Sequence, residues 1–496
     1  MKIKHLIKTV SAAFSLTICA MTATTVLPTE FTPDFLTYDS ISITAEAAVS
    51  ITYLDRWTVA VGNVIYDINE TTMTARVQGG YGNMTNIKIP GQINLGSKGI
   101  FKVIHISPRA FKDNKSVCTV DLSGAYNLGS ILEDAFNGAT SLTKVTLGNA
   151  VTSISTRAFM GCTKLKTFNT NGNNKIWRIS FDAFRNCTSL SSITIPQSCE
   201  IIDARAFENS GLTSITIPNG VTSIDARAFC NCKKLQTVTF QAGASNGPGL
   251  KIGGNAFLND TALRNVYFDR KAIDASIDSF AECYQKNADG TYSSFSSYGY
   301  GQRDYCTSIY KKLLSQWGLK YSTSYSQAQQ TEFFRKLGEY LGGTASKAGY
   351  MVRGNFAPQA LDGMAATVIS ARKGTCGGFS RVYYDMCLQA GVPESRVLFA
   401  GDSHCHAWNY VKCGNKWYNI DSSNKIGLCG NAAFKTAMGW TTNESAHNPN
   451  NWYASVDNYI GSYDADGYVA PYTDKFNNIL ASGSARGISF TGTRVN

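Results

Sequence analysis

The stretch SITIPNGVTSIDARAF, residues 214–229, decides how the first half of the chain is read. Ile215 and Ile217 alternate with Thr216, which marks a short strand, and Pro218-Asn219-Gly220 marks a turn. The closing Ala-Phe pair is not unique. It recurs with Phe at 111, 136, 159, 184, 207, 229 and 257, at intervals of 25, 23, 25, 23, 22 and 28 residues. A second apolar frame keeps step with it at Val117, Leu142, Leu165, Leu190, Leu212, Leu235 and Leu263. One strand plus one Ala-Phe turn or short helix per repeat cannot bury its own apolar face, so the copies must stack as a solenoid. Ser279-Phe280 followed by Cys283 reads as a degenerate eighth copy.

Cys162, Cys187 and Cys232 each sit three residues after a repeat Phe, where other copies hold Asn114, Ala139, Ser210 or Asp260. A slot that accepts such residues is a small-residue position in a tight turn, so these thiols are expected to pack rather than bridge. The segment "SITIPNGVTSIDARAF" and its relatives over residues 87–268 resemble the BspA-like class of bacterial cell-surface leucine-rich repeats. The resemblance implies adhesion or protein recognition, with a surface protein or glycan as ligand. Residues 48–100 are expected to form a β-rich cap over the first repeat, with repeats over 101–280.

Composition sets limits around this core. The chain has 496 residues, 43% hydrophobic and 16% charged, too many for one compact core. Its formal charge of +11 is carried by scattered single Lys and Arg rather than a stripe, which argues against nucleic acid as a partner. Lys2, Lys4 and Lys8 precede an uncharged, mostly apolar run from Val10 to Leu27, and Ala45-Glu46-Ala47 offers a cleavage site. Residues 1–47 are therefore expected to be a signal peptide, and the protein to be secreted, extracellular or loosely attached to the cell surface. Ser and Thr interrupt the apolar run too often for a transmembrane segment. Removal of 1–47 takes away three Lys and four acids, leaving about +12, and 13 of the 14 Cys. An odd count leaves at least one thiol without an intramolecular partner.

After Phe268 the frame fades into a Ser-, Tyr- and Gly-rich stretch (289–302) that reads as a linker, and 281–496 is expected to be a separate domain. Helices are expected around Ile309, Leu313, Leu314 and Trp317, and around Phe333, Phe334, Leu337, Tyr340 and Leu341, ending at Gly342-Gly343. Chemistry concentrates later. Gly374-Thr375-Cys376-Gly377-Gly378 precedes Phe379, Val382, Tyr383, Met386 and Cys387 at helical spacing. Cys376 thus falls at a helix N-terminus, where unpaired N–H groups and the helix dipole favour a thiolate, whereas Cys387 lies on the packed face. His406-Ala-Trp-Asn and Trp417-Tyr-Asn-Ile-Asp421 flank Gly414-Asn415, which reads as a hairpin turn. A turn at 414–415 puts Trp408 opposite Asp421 and His406 diagonally beside it. A turn at 413–414 puts His406 directly opposite. Either register pairs a His with an Asp on one face. A thiol at a helix start with a His–Asp pair is the arrangement for nucleophilic acyl transfer.

"KGTCGGFS", "HAWNYV" and "KWYNIDSS" resemble, in order and spacing, the three motifs of the transglutaminase-like superfamily, which includes cysteine peptidases. The resemblance spans about 300–424 and implies a papain-like α+β core. By position it makes Cys376 the nucleophile, His406 the base and Asp421 the orienting acid, acting on a protein or peptide amide. The whole is then a multidomain α+β protein, a capped repeat solenoid followed by a transglutaminase-like domain, with no cofactor and no metal. Hydrolysis is favoured over cross-linking because no feature marks an amine site. Four rival readings stand beside it. His404, Cys405, His406, Cys413 and Cys429 are potential metal ligands, although their spacing fits no zinc template. Cys413 and Cys429 could form a disulfide, and Asp464-Ala465-Asp466-Gly467 carries a fragment of a calcium loop. The domain could also be a non-catalytic binding module of an adhesin.

Overall fold

The fold is that of a computed structural model, which describes residues 49–82, 84–242, 249–270, 272–298, 301–354, 365–401, 406–439, 453–455 and 493–494. The signal-peptide reading of 1–47, His404, Cys405 and the Asp464–Gly467 fragment lie outside the described residues.

Most repeats contribute two strands rather than the one expected; in the Leu190 copy the first is reduced to a single bridge from Ile193 to Phe168. Ser214–Ile217 pairs in parallel with Thr237–Phe240, Ile215 beside Val238 and Ile217 beside Phe240, and Thr237–Phe240 pairs in turn with Asn265–Phe268. On the other side of the coil, two-residue strands such as Ser153–Ile154, Arg178–Ile179, Ile201–Ile202 and Ser223–Ile224 form a second parallel ladder. Two residues are too few to show alternation, which is why the sequence hid them. Between the ladders run the Ala-Phe turns. Their phenylalanines form one column, each ring stacked on the next at 4.5–5.5 Å from Phe111 to Phe280 and nearly parallel. Phe280 ends that column, so the eighth copy is real.

The turns bend by left-handed backbone two residues after each Phe. There Asp113, Gly138, Gly161, Asn186, Asn209, Asn231 and Asn259 have φ between +55° and +73°. These are residue types that tolerate that region. The small-residue slot one position later is a hydrogen-bond ladder. The buried thiols of Cys162, Cys187, Cys232 and Cys283 donate to the carbonyls of Phe136, Phe159, Phe207 and Phe257 at 2.8–3.2 Å, and all four are free. Asp260 occupies the same slot, fully buried. Its Oδ1 accepts the Cys232 N–H at 2.7 Å, and burial drives its carboxyl well above the usual range.

At the N-terminal end, strands Ile51–Tyr53, Thr58–Val61, Val64–Asn69 and Thr74–Gly80 form an antiparallel meander that joins the repeat ladder through Ile100–Ile106. At the other end the stretch 289–302 is not a linker. Tyr292–Ser294 pairs with Tyr284–Lys286 as a hairpin, and Ser296–Tyr298 adds in parallel to Asn265–Phe268. Helix α1 (Gln302–Gln316) follows directly, and its buried Tyr305 stacks on Phe268 at 4.9 Å. The Tyr305 hydroxyl meets Ser370 at 2.6 Å on α3 (Ala365–Ala371), and Thr367 of α3 donates to the Phe295 carbonyl at 2.8 Å. The apolar core therefore runs through the expected boundary at 280/281 without a break.

In the C-terminal half, α2 (Gln327–Gly342) starts on a capping box, Ser326 with Gln329, and stops at Gly343, φ +88°. Helices α2 and α4 (Cys376–Gln389) pack on a sheet ordered Ile426–Cys429, Lys416–Asp421, Ala407–Cys413, Val397–Gly401, Tyr453–Ser455. Helix α5 (Asn431–Met438) follows the first-named edge strand of that order. Among the described residues no helix is long and apolar enough to cross a membrane.

Candidate active site

Cys376 is the first residue of α4, with Thr375 at the cap in extended conformation. The helix is held by the face the sequence marked, with Phe379, Val382, Tyr383, Met386 and Cys387 all buried. Cys387 is fully enclosed and burial pushes its thiol well up, so it takes no part in chemistry. Among the described residues, a side chain at Gly377, next to Cys376, would meet nothing within 4 Å.

His406 stands just before the strand Ala407–Cys413, and Asp421 ends the strand Lys416–Asp421. The two strands pair with Asn409 opposite Ile420 and Cys413 opposite Lys416, which selects the turn at 414–415. Gly414 takes φ +58°, as a tight turn with glycine first requires. In this register His406 reaches Asp421 diagonally, and its Nε2 lies 2.8 Å from Asp421 Oδ2. The Cys376 thiol is within hydrogen-bonding reach of the same ring. Since Nε2 is engaged by Asp421, Nδ1 is the nitrogen left for the sulfur. The structure thus brings Cys376, His406 and Asp421 together.

Electrostatics favour a charged imidazole. Burial pulls the His406 pKa down, but hydrogen bonds to Asp421 and Cys376 and their charges outweigh it, and the value rises to about 10. Asp421 shows the converse balance. Its burial pushes the carboxyl up, yet the His406 bond and charge, with Ser423 and Asn424, hold it below the ordinary range. Oδ1 accepts the Ser423 N–H at 2.9 Å, the Ser423 hydroxyl at 2.6 Å and the Asn424 N–H at 3.2 Å, while Oδ2 also accepts Asn424 Nδ2 at 2.7 Å. The Arg353 guanidinium donates to the Asn424 carbonyl oxygen, which fixes which way that amide points.

Sequence reasoning missed these supports. Asp421-Ser-Ser-Asn424 is an Asx-type turn, a signal readable from its composition. Asn409 is the second omission. Its Nδ2 donates to the Ser380 carbonyl at 3.0 Å, while Ser380 Oγ donates to the Cys376 carbonyl at 2.9 Å, so the His strand is pinned to the first turn of the Cys helix. The buried Trp408 stacks on the His406 ring at 5.7 Å and donates to Asn419 at 2.9 Å. The Cys413–Cys429 disulfide is not formed, and both thiols are free. Cys413 faces Lys416 and Cys429 faces Asn419, with the Asp421 strand between them, a separation of about two strand spacings that no disulfide spans. Among the described residues no three His, Cys, Asp or Glu side chains converge as metal ligands.

Two family models match the chain. One, described as BspA type leucine rich repeat region, matches residues 80–178 and 172–287 in six copies. The other, the transglutaminase-like superfamily, matches 322–422, which contains Cys376, His406 and Asp421. No curated protein matches the chain. Among solved structures, a leucine rich repeat protein of T. pallidum is 23% identical, covering 40% of this chain and 88% of its own, with a TM-score of 0.35. A leucine rich cell surface protein of Faecalibacterium prausnitzii is 24% identical, covering 46% and 81%, with a TM-score of 0.30. A leucine-rich repeat protein of Bacteroides ovatus is 17% identical, covering 45% and 80%, with a TM-score of 0.24. The chain joins a BspA-type leucine-rich repeat region to a domain of the transglutaminase-like superfamily.

Proposed function

We propose that the C-terminal half is a thiol-dependent acyl-transfer enzyme of a secreted, surface-associated protein, acting on protein or peptide amides, with the repeats as a recognition surface. The observation that carries this reading is the buried His406–Asp421 pair at 2.8 Å with the Cys376 thiol against the same ring at a helix N-terminus. His406 takes the thiol proton and the sulfur attacks the amide carbonyl. The imidazolium then gives its proton to the leaving amine, and a thioester remains on Cys376. The Cys376 backbone N–H, in the first turn of α4, is the donor for the developing oxyanion. Water attacks the thioester with His406 again as base. Hydrolysis is favoured because water needs no site of its own, whereas an amine acceptor closing the same cycle would give a cross-link.

The test is brief treatment of the full chain with iodoacetamide at about pH 6, followed by peptide mapping. Cys376 should be modified ahead of Cys306, Cys387, Cys405, Cys413 and Cys429. His406→Ala should slow it strongly and Asp421→Asn less, and Cys376→Ser should abolish amide turnover with the fold retained. If Cys405 reacts first, or His406→Ala leaves the Cys376 rate unchanged, the triad is wrong and a non-catalytic binding domain replaces it.

A further inference from the structure

The last hairpin of the solenoid lies against the segment that leads into the nucleophile. Tyr284 and Tyr292, on its two strands, meet edge to face at 5.5 Å. Lys373, three residues before Cys376, places its Nζ 4.1 Å from the Tyr292 ring centroid and 5.1 Å from that of Tyr284. A cation over two ring faces is held by their quadrupoles and loses much of its rotamer freedom. Gly354 makes room for it, since a Cβ there would fall 2.8 Å from the Lys373 Cγ and Cδ atoms. Val352–Arg353 pairs in parallel with Lys373–Gly374, Val352 beside Lys373 and Arg353 beside Gly374, so Arg353 lies on the other face of this short ladder. Lys425 follows Asn424, the Arg353 partner, in the sequence. Among the described residues, Arg353, Lys373 and Lys425 have no carboxylate at ion-pair distance. The hairpin's own acid, Asp289, is turned into its tip, where the Thr291 N–H and hydroxyl donate to it at 2.9 and 2.6 Å.

A cation held on two tyrosine rings, with no acid paired to it among the described residues and three residues before the nucleophile, is a ready partner for a substrate carboxylate. We propose that the preferred acyl donor is an acidic peptide, with an Asp or Glu side chain near the scissile amide received by Lys373 on its tyrosine platform. The proposal rests on the acyl-transfer reading and names its substrate class. It also gives the repeat region a direct part in the site, because the platform belongs to the solenoid's final hairpin.

Matched chloroacetyl peptides differing only in one residue (Glu, Gln or Lys) test it on the full chain, with the rate of Cys376 modification read by peptide mapping. The Glu probe should react about fivefold faster than the Gln probe at low salt, with the Lys probe slowest. The Glu-to-Gln ratio should shrink toward one at about 0.5 M salt. Lys373→Gln should bring that ratio close to one and Lys373→Arg should restore it. Equal Glu and Gln rates in the unmodified chain overturn the substrate class and leave acyl transfer standing. A ratio untouched by Lys373→Gln overturns the role of Lys373. If no probe prefers Cys376 over the other thiols, the acyl-transfer reading falls, and this proposal with it.

Discussion

Two glycines one turn apart on α2 face the end of the Asp421 strand, and the same substitution at each should give opposite results. At Gly342 a Cβ would lie 1.8 Å from the Ser422 carbonyl oxygen and 2.7 Å from its carbon. Real Cβ atoms do not come within 3.0 Å of such a neighbour, so Gly342→Ala must drive the Ser422 peptide back by more than 1 Å. Ser422 follows Asp421, whose Oδ2 is 2.8 Å from His406 Nε2, and a retreat of that size takes the pair out of hydrogen-bond range. A hydrogen bond to a charged group contributes about 1.5–3 kcal/mol, or about ten- to a hundredfold in the ratio of the thiolate–imidazolium pair to the neutral thiol–imidazole pair at Cys376 and His406. At Gly338 the Cβ would instead meet the Ile420 Cδ1 atom at 2.8 Å, the far end of a side chain that can rotate away. Measured as the initial rate of Cys376 alkylation at about pH 6, Gly342→Ala should fall at least about tenfold, toward the His406→Ala rate. Gly338→Ala should stay within about twofold, and thermal melts would confirm that both variants fold. Wild-type reactivity in a folded Gly342→Ala protein, or an equal loss in both variants, would refute the claim that α2 positions the acid.

Asp260 should make the solenoid sensitive to alkali. Its carboxyl is raised in the fold, so the stability it allows is fullest below the ordinary carboxylate pKa and declines as pH rises toward the folded value. Asp260→Asn, which keeps an acceptor for the Cys232 N–H, should therefore raise the melting temperature more at pH 8 than at pH 5. An equal change at both pH values would show that Asp260 is charged in the fold. Phe184→Ala removes a ring stacked on both sides, and should cost about 3–5 kcal/mol in urea unfolding. Phe111→Ala, at the end of the column, should cost less by about one ring pair, 0.5–1.5 kcal/mol, and equal losses would mean that stacking adds nothing to burial. A fragment of 281–496 should fail to fold cooperatively because Tyr305 loses Phe268 and Phe280, and a sharp melt from that fragment would show that the halves do not share a core. Non-reducing peptide maps should find Cys162, Cys187 and Cys232 unbridged, and slow toward thiol reagents until the chain unfolds.

The solenoid was legible because the Ala-Phe pair keeps a nearly constant interval, and any interval that survives seven copies must reflect stacking. Its second ladder was not, since a strand of two residues leaves no period to detect. The column of Asp, Gly and Asn two residues after each Phe is a left-handed signature that the sequence displays openly. The positions two residues before Phe also have positive φ, but beside Asp134, Asp182 and Asn255 they hold Arg109, Arg157, Arg205 and Arg227, and arginine does not advertise that conformation. Misreading 289–302 as a linker has a compositional cause. Ser, Tyr and Gly are loop-like in number, yet Tyr292 and Phe295 are spent on Lys373 and on Phe280. At the candidate site the three side chains the structure brings together could be read from motif order, and the hairpin from one glycine, but only the structure chose between its two registers. The devices that aim them could not. Gly342, Asn409 and Arg353 act across elements far apart in sequence, and no local pattern marks a contact of that kind.

The phenylalanine column has a consequence for reach. Each ring lies about 5 Å from the next, and every copy shows its neighbour nearly the same face, whereas among the described residues the column meets the helical half at its end, where Phe280 packs edge-on to Tyr305. Gaining or losing a whole copy in the middle of the array would slide the N-terminal cap along the axis in steps of one ring spacing and leave the surroundings of Cys376 unaltered. Such a molecule is a ruler with its working point fixed at one end, and its length can drift between relatives while its chemistry stays put.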